Sequence, residues 1–143
     1  MILSAIADLL DVNVWLALAV EEHPRHKPAL NSWGQLKRPS FCRVTQLGFL
    51  RLLCYPLVLG GAVLEPEAAW EEYAGLLRDG GLEFVEEPSG LDARLKQLTK
   101  GSRDFWTDAY LAAFARCANL RLVSFDSGFS RFSDLSFLEL RPS

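Results

Sequence analysis

The sequence predicts an α/β fold with a small, mostly parallel central sheet covered by helices on both faces. Three observations carry that reading. Short apolar runs alternate with helix-length stretches along the chain, the order that parallel strands and their crossover helices demand. The stretch Asp104–Ala118 is apolar nearly all round, so it needs cover on every side and belongs in the interior. No repeat, linker or biased tract interrupts the 143 residues, a length that suits one domain, so residues 1–143 are read as a single unit.

Ala7–Leu10 is the first strand, a short apolar run leading into Asp11, and Asn13–Val20 follows as a helix. Pro24 opens a second helical stretch, Arg25 to about Leu36, closed by Lys37-Arg38-Pro39. Phe41–Val44 reads as a short second strand. Thr45 is placed to cap a helix over Gln46–Leu53, which stops before Tyr55-Pro56 because the residue preceding proline avoids helical backbone. Pro66 fits the first turn of the next helix, where its missing N–H would have no partner anyway. Ala69, Trp70, Tyr73, Leu76 and Leu77 then recur at helical spacing until Asp79-Gly80-Gly81. Leu82–Val85 is the third strand and Leu91–Leu98 a weaker helix. The Lys100-Gly101-Ser102 break precedes Asp104–Ala118, and Asn119 turns the chain into a fourth strand, Arg121–Phe125, ending at Asp126.

Composition narrows the function classes. Half the residues are apolar and 23% are charged, which excludes a disordered or low-complexity chain. Fifteen Lys and Arg against 18 Asp and Glu leave a net charge of −3, which argues against nucleic-acid binding through a broad basic surface. A carboxylate-rich metal site is itself acidic, so a nuclease stays open. Cys42, Cys54 and Cys117 are odd in number and scattered, which suits reduced, mostly buried thiols rather than a disulfide framework. Asp8 and Asp11 interrupt the first apolar run, so it is not a signal peptide. The apolar stretches Val14–Val20 and Tyr55–Leu64 are too short for the roughly 18–20 residues of a membrane span. The expectation is a cytoplasmic protein without membrane attachment.

Ligands of open α/β sheets bind beyond the carboxyl ends of the strands. Asp11 and Asp126 both fall there, and Asp108 lies in the first turns of the helix before the last strand. Each has an ordinary explanation taken alone: a turn former, a helix cap, or a charge favoured by a helix dipole. Three aspartates at one sheet edge repel one another and persist when a cation sits between them. Hard oxygen ligands select Mg²⁺ or Mn²⁺, whose commonest use in such a setting is phosphoryl or phosphodiester chemistry.

Four blocks, LLDVNVWLAL at 9–18, RVTQLGFLRLL at 43–53, WTDAYLAAFA at 106–115 and LVSFDSGF at 122–129, together resemble the PIN-domain nucleases and, more narrowly, VapC-type toxins of toxin–antitoxin pairs. The resemblance implies a PIN-like three-layer α/β/α sandwich and a metal-dependent endoribonuclease. Such an enzyme hydrolyses single-stranded or structured RNA with Mg²⁺ or Mn²⁺, leaving a 3′-hydroxyl and a 5′-phosphate. By position, it assigns Asp11, Asp108 and Asp126 as metal ligands, with Asn13 and Ser124 as polar supports. The family often has Glu in the middle block, where this chain has Gln46, a residue able to orient a water but bringing no charge. Asp104, one turn ahead of Asp108, either joins the pocket or caps the helix, the cap being the more ordinary role. The resemblance also implies a homodimer and a cognate VapB-type antitoxin. Trp15, Leu18, Leu50 and Leu53 are candidates for the apolar surface that takes the antitoxin helix.

Other features have plainer readings. His23 and His26 lie in a connection away from the strand ends, where exposure or capping explains them. Trp15, Trp33, Trp70 and Trp106 fall at apolar helical positions and read as core or interface. Arg43, Arg51, Arg103 and Arg131 lie near the motif blocks and are candidate phosphate contacts, although surface charges are usually just solvated. A haloacid-dehalogenase-type phosphatase needs a second Asp where Asn13 stands, and a receiver domain needs a Lys after the last strand, where Asp-Ser-Gly-Phe stands. The remaining alternative is a degenerate PIN domain that grips RNA or a protein without cutting, and Gln46 is the feature that favours it.

Overall fold

A computed structural model describes residues 4–55 and 63–141; Pro56 and most of the apolar stretch Tyr55–Leu64 lie outside the described residues. The elements run β1 (Ala7–Leu10), α1 (Val12–Ala19), α2 (His26–Ser32), β2 (Ser40–Phe41), α3 (Arg43–Leu53), α4 (Pro66–Asp79), β3 (Glu83–Phe84), α5 (Leu91–Thr99), α6 (Trp106–Ala118), β4 (Leu120–Ser124) and β5 (Phe137–Glu139). The five strands form one sheet in the order β3-β2-β1-β4-β5, and every pairing is parallel. From β1 the chain builds outward through β2 and β3, then returns to the other side of β1 for β4 and β5. The strand order therefore reverses between β1 and β4, the place where open parallel sheets bind ligands.

Side-chain alternation along the strands divides the interior into two cores. Leu10 and Val123 face one side, where Val14, Trp15, Phe41, Phe49, Leu50 and Tyr73 pack around them from α1, β2, α3 and α4. Ala7, Leu9, Leu120 and Leu122 face the other, against Leu91 of α5 and Leu111 and Phe114 of α6. Helices on both faces make the three-layer α/β/α sandwich that the sequence predicts. Trp15 stacks on Phe41 with ring centroids 3.9 Å apart and planes 7° from parallel, pinning α1 to β2. Such a pair adds about 0.5–1.5 kcal/mol beyond its burial. Among the described residues no helix is long and apolar enough to cross a membrane.

Several boundaries move from the sequence reading, each for a local reason. The second strand is Ser40–Phe41 rather than Phe41–Val44, because α3 starts at Arg43. Thr45 does not begin the helix. It is the third helical residue and reaches back, its Oγ1 accepting from the Cys42 N–H at 2.9 Å. The second helix ends at Ser32 and the chain tightens into a 3₁₀ turn, Trp33–Gln35. The last helix starts at Trp106, with Phe105 rather than Asp104 at its cap position and no side-chain cap hydrogen bond. The fifth strand, three residues long, pairs Phe137 with Leu122 and Leu138 with Val123, and no turn signal announces it. Trp15 is core, but Trp33, Trp70 and Trp106 are exposed. Trp15, Leu50 and Leu53 are buried and Leu18 packs against the core, so they form no apolar surface for a partner helix.

Where α1 meets α3, glycine is a packing requirement. A Cβ on Gly48 would stand 2.7 Å from Val12 Cγ2, closer than real Cβ contacts come. The expected cost of Gly48→Ala is about 1–3 kcal/mol of overpacking, read as a lower urea midpoint with unchanged m. An unchanged midpoint would show that α1 and α3 separate freely here.

Candidate functional site

The junction of β1 and β4 positions the first two aspartates. The Asp11 N–H donates to the Val123 carbonyl at 2.9 Å, extending the parallel ladder one residue beyond β1. Asp11 stands at the N-cap position of α1, its Oδ1 accepting from the Val12 N–H at 2.8 Å. Its Oδ2 accepts from the Ser124 hydroxyl, also at 2.8 Å. Ser124, the fully buried last residue of β4, is the hub: its Oγ also accepts from Asn13 Nδ2 at 3.1 Å and from the Asp126 N–H at 2.9 Å. Asn13 Oδ1 accepts from the Phe125 N–H at 3.3 Å. Asp126 is exposed and starts a 3₁₀ turn, Ser127–Arg131, with its Oδ1 accepting from the Gly128 N–H.

Asp108 projects from the first turn of α6, and Arg131 Nη1 stands 3.5 Å from its Oδ2. Electrostatics ties the three carboxylates together. Burial pushes the Asp11 carboxyl up; the Ser124 and Val12 hydrogen bonds pull it back, and the Asp108 and Asp126 charges push it further up. Asp108 is raised by burial and then by Asp126, with Arg131 opposing. Hydrogen bonds thus join Asp11, Asn13, Ser124 and the Asp126 backbone at the strand-order reversal, and Asp108, the fifth of the six residues expected at the site, lies close enough for its charge to act on Asp11.

Gln46 does something else. It is 4% exposed, and its Oε1 accepts from Arg43 Nη1 at 2.6 Å. The α3 residue that packs on the first turn of α1 is Gly48, which has no side chain to offer. Asp104 is exposed, and its backbone N–H donates to the Ser102 hydroxyl at 3.3 Å. His26 Nδ1 lies 2.7 Å from the Ala17 carbonyl, and His23 Nδ1 accepts from the Arg25 N–H, both local contacts. Arg43 lies over Phe84 and Arg51 over Tyr55. The contact sequence reasoning missed is Arg131 on Asp108, although Arg131 follows Asp126 on the same short turn.

The donor set suits a hard divalent cation. Among the described residues each aspartate oxygen has at most one partner, so lone pairs remain on all three carboxylates. As posed, no three His, Cys, Asp or Glu side chains among the described residues already converge on one point, and Asp108 is engaged by Arg131 instead.

Comparison with known proteins gives concordant results. Residues 9–135 match the PIN domain family. Ribonuclease VapC41 of Mycobacterium tuberculosis is 35% identical over 137 residues, covering 89% of this chain and 94% of its own. Among solved structures, M. tuberculosis VapC20, described as a sarcin–ricin-loop-cleaving toxin, superposes with a TM-score of 0.67 at 18% identity, covering 95% of this chain and all of that one. A chain of a toxin–antitoxin complex from Klebsiella pneumoniae gives 0.64 at 13% identity, covering 92% and 96%.

Proposed function

The chain belongs to the PIN-domain family, in its VapC group, and from that premise we propose that it is a metal-dependent endoribonuclease acting as the toxin of a toxin–antitoxin pair. The observation that supports the reading is the Asp11 carboxylate at the β1–β4 reversal, joined through the Ser124 hydroxyl to the Asp126 backbone. The matching relative is itself a ribonuclease by name.

Asp11, Asp108 and Asp126 would hold Mg²⁺ or Mn²⁺. When bound, such an ion would supply Lewis-acid chemistry suited to phosphodiester hydrolysis. The chain's own residues prepare that chemistry. Ser124 donates to Asp11 and fixes which lone pairs point into the cleft. Asn13 ties Ser124 to the Phe125 backbone, so the ends of β1 and β4 keep their spacing as charge in the cleft changes.

A cytoplasmic setting, a homodimer and a VapB-type antitoxin with a basic segment for this acidic cleft complete the proposal. The toxin-like fold of the Klebsiella complex supports the partner. The second reading, a PIN domain that binds without cutting, rests on the uncharged Gln46 in the middle block.

The test is direct. Protein purified free of any antitoxin is expected to cut single-stranded RNA in Mg²⁺ or Mn²⁺ and to stop in EDTA. RNA retained but uncut in every divalent ion would establish the second reading.

A further inference from the structure

Beside Asp108 the chain carries a feature that the acidic cleft does not require. Phe105, at the cap position of α6, holds a φ of 65°, the left-handed region that a bulky side chain seldom occupies. Two aromatic side chains at successive positions are exposed here, Phe105 at 53% and Trp106 at 57%. The Trp106 indole N–H donates to the Arg103 carbonyl at 2.9 Å, which fixes the ring by its edge. The Arg131 guanidinium lies 3.9 Å from the Phe105 ring centroid while Nη1 reaches Asp108. Gly128 makes that pose possible, since a Cβ there would stand 2.6 Å from Arg131 Nη2. The Phe105 ring, the guanidinium and the Asp108 carboxylate thus follow one another, with Trp106 next to Phe105 in the chain.

Each part has a natural complement in a single strand of nucleic acid. Unpaired bases stack on exposed aromatic rings whatever their identity, and guanidinium groups fork onto phosphate. The charge balance asks for such a cation. Three carboxylates and one divalent ion leave the cleft with a net negative charge, which repels a phosphodiester. Arg131 cancels it, and one 3.5 Å contact leaves most of its five N–H donors free.

The geometry points to a nucleotide subsite at this rim, where an RNA base stacks on Trp106 beside Phe105 and Arg131 takes the neighbouring phosphate. The inference rests on the ribonuclease reading and deepens it: Arg131 exchanges Asp108 for the phosphate, releasing that carboxylate to the ion.

Trp106→Ala, Trp106→Phe, Arg131→Ala and Arg131→Lys separate the roles. With single-stranded RNA and saturating Mn²⁺, Trp106→Ala and Arg131→Ala are each expected to raise KM about tenfold with little change in kcat. Trp106→Phe should keep most of the affinity because it keeps a π-face, and Arg131→Lys should keep part. In calorimetric titration, Mn²⁺ should bind Arg131→Ala as tightly as wild type or more tightly, because a cation competing for Asp108 is gone. Weaker Mn²⁺ binding by Arg131→Ala would overturn the exchange and leave Arg131 as a brace for Asp108. Unchanged KM in the two alanine variants would overturn the subsite, and if they weaken an antitoxin complex instead, the rim is a protein-docking surface. Fluorescence anisotropy of a labelled single-stranded RNA oligonucleotide on the same proteins separates the two readings. If wild type binds without cutting and Trp106→Ala loses binding, the ribonuclease reading fails and the subsite stands.

Discussion

Asp11→Asn is expected to lower RNA cleavage at least about a thousandfold, because a lost ligand charge removes several kcal/mol of transition-state stabilisation and each 1.36 kcal/mol is tenfold in rate. The substitution is chosen so that the fold survives. Asn caps helices about as well as Asp, so its carbonyl oxygen can still accept from the Val12 N–H or the Ser124 hydroxyl, the two groups that hold Asp11. Removing a charge that burial and two neighbouring carboxylates disfavour does not weaken the empty protein. Asp108→Asn should lose activity similarly, with Arg131 keeping its place over Phe105. Single-turnover cleavage in saturating Mn²⁺, paired with thermal melts, reads both effects. Undiminished cleavage with an intact fold would move the chemistry away from this cleft.

The sequence made the scaffold legible where periodicity and breakers were strong. Ala7–Leu10, the helix after Pro66 and the apolar helix before Asn119 all fall within a residue or two of their places. It was weak where an element is short or decided from a distance. Phe137–Glu139 is a strand because β4 offers it an open edge, and three residues carry no period of their own. The α3 start depends on a Thr45 hydroxyl reaching backwards, which reads from sequence as a forward cap.

The same division runs through the site. Asp11 and Asp126 were legible because strand ends in a parallel sheet converge by topology. Asp108 was legible because a carboxylate in an apolar helix needs a reason. Gln46 was read by its position in a motif; that its side chain pairs with Arg43, three residues earlier on α3, depends on where that helix begins. Trp106 was read as apolar by its spacing, though as the first residue of α6 its side chain is exposed.

Arg121→Met is expected to destabilise the protein by about 2–4 kcal/mol, since removing one partner of a buried ion pair strands the other. Asp8 sits in the middle of the central strand at 2% exposure, with Arg121 as its cross-strand partner. The pair is bidentate: Nε donates to Oδ1 at 2.8 Å and Nη2 to Oδ2 at 2.9 Å. The Lys37 N–H adds a third donor at 2.7 Å, and Arg121 Nη2 also reaches the Gln35 carbonyl at 3.2 Å, so the pair holds the connection before β2 against β1. Read as sequence, Asp8 only breaks an apolar run; folded, it joins three segments. Arg121 is 30% exposed, so water softens the loss, which argues for the lower half of the range. Asp8→Val with Arg121→Met should recover much of it, because no charge is then stranded, but leaves the Lys37 N–H without its acceptor at about 1 kcal/mol or more. Urea denaturation of wild type, both singles and the double completes the cycle. A double variant no more stable than Arg121→Met would mean that the hydrogen bond to Lys37, rather than the ion pair, holds this end of the sheet together.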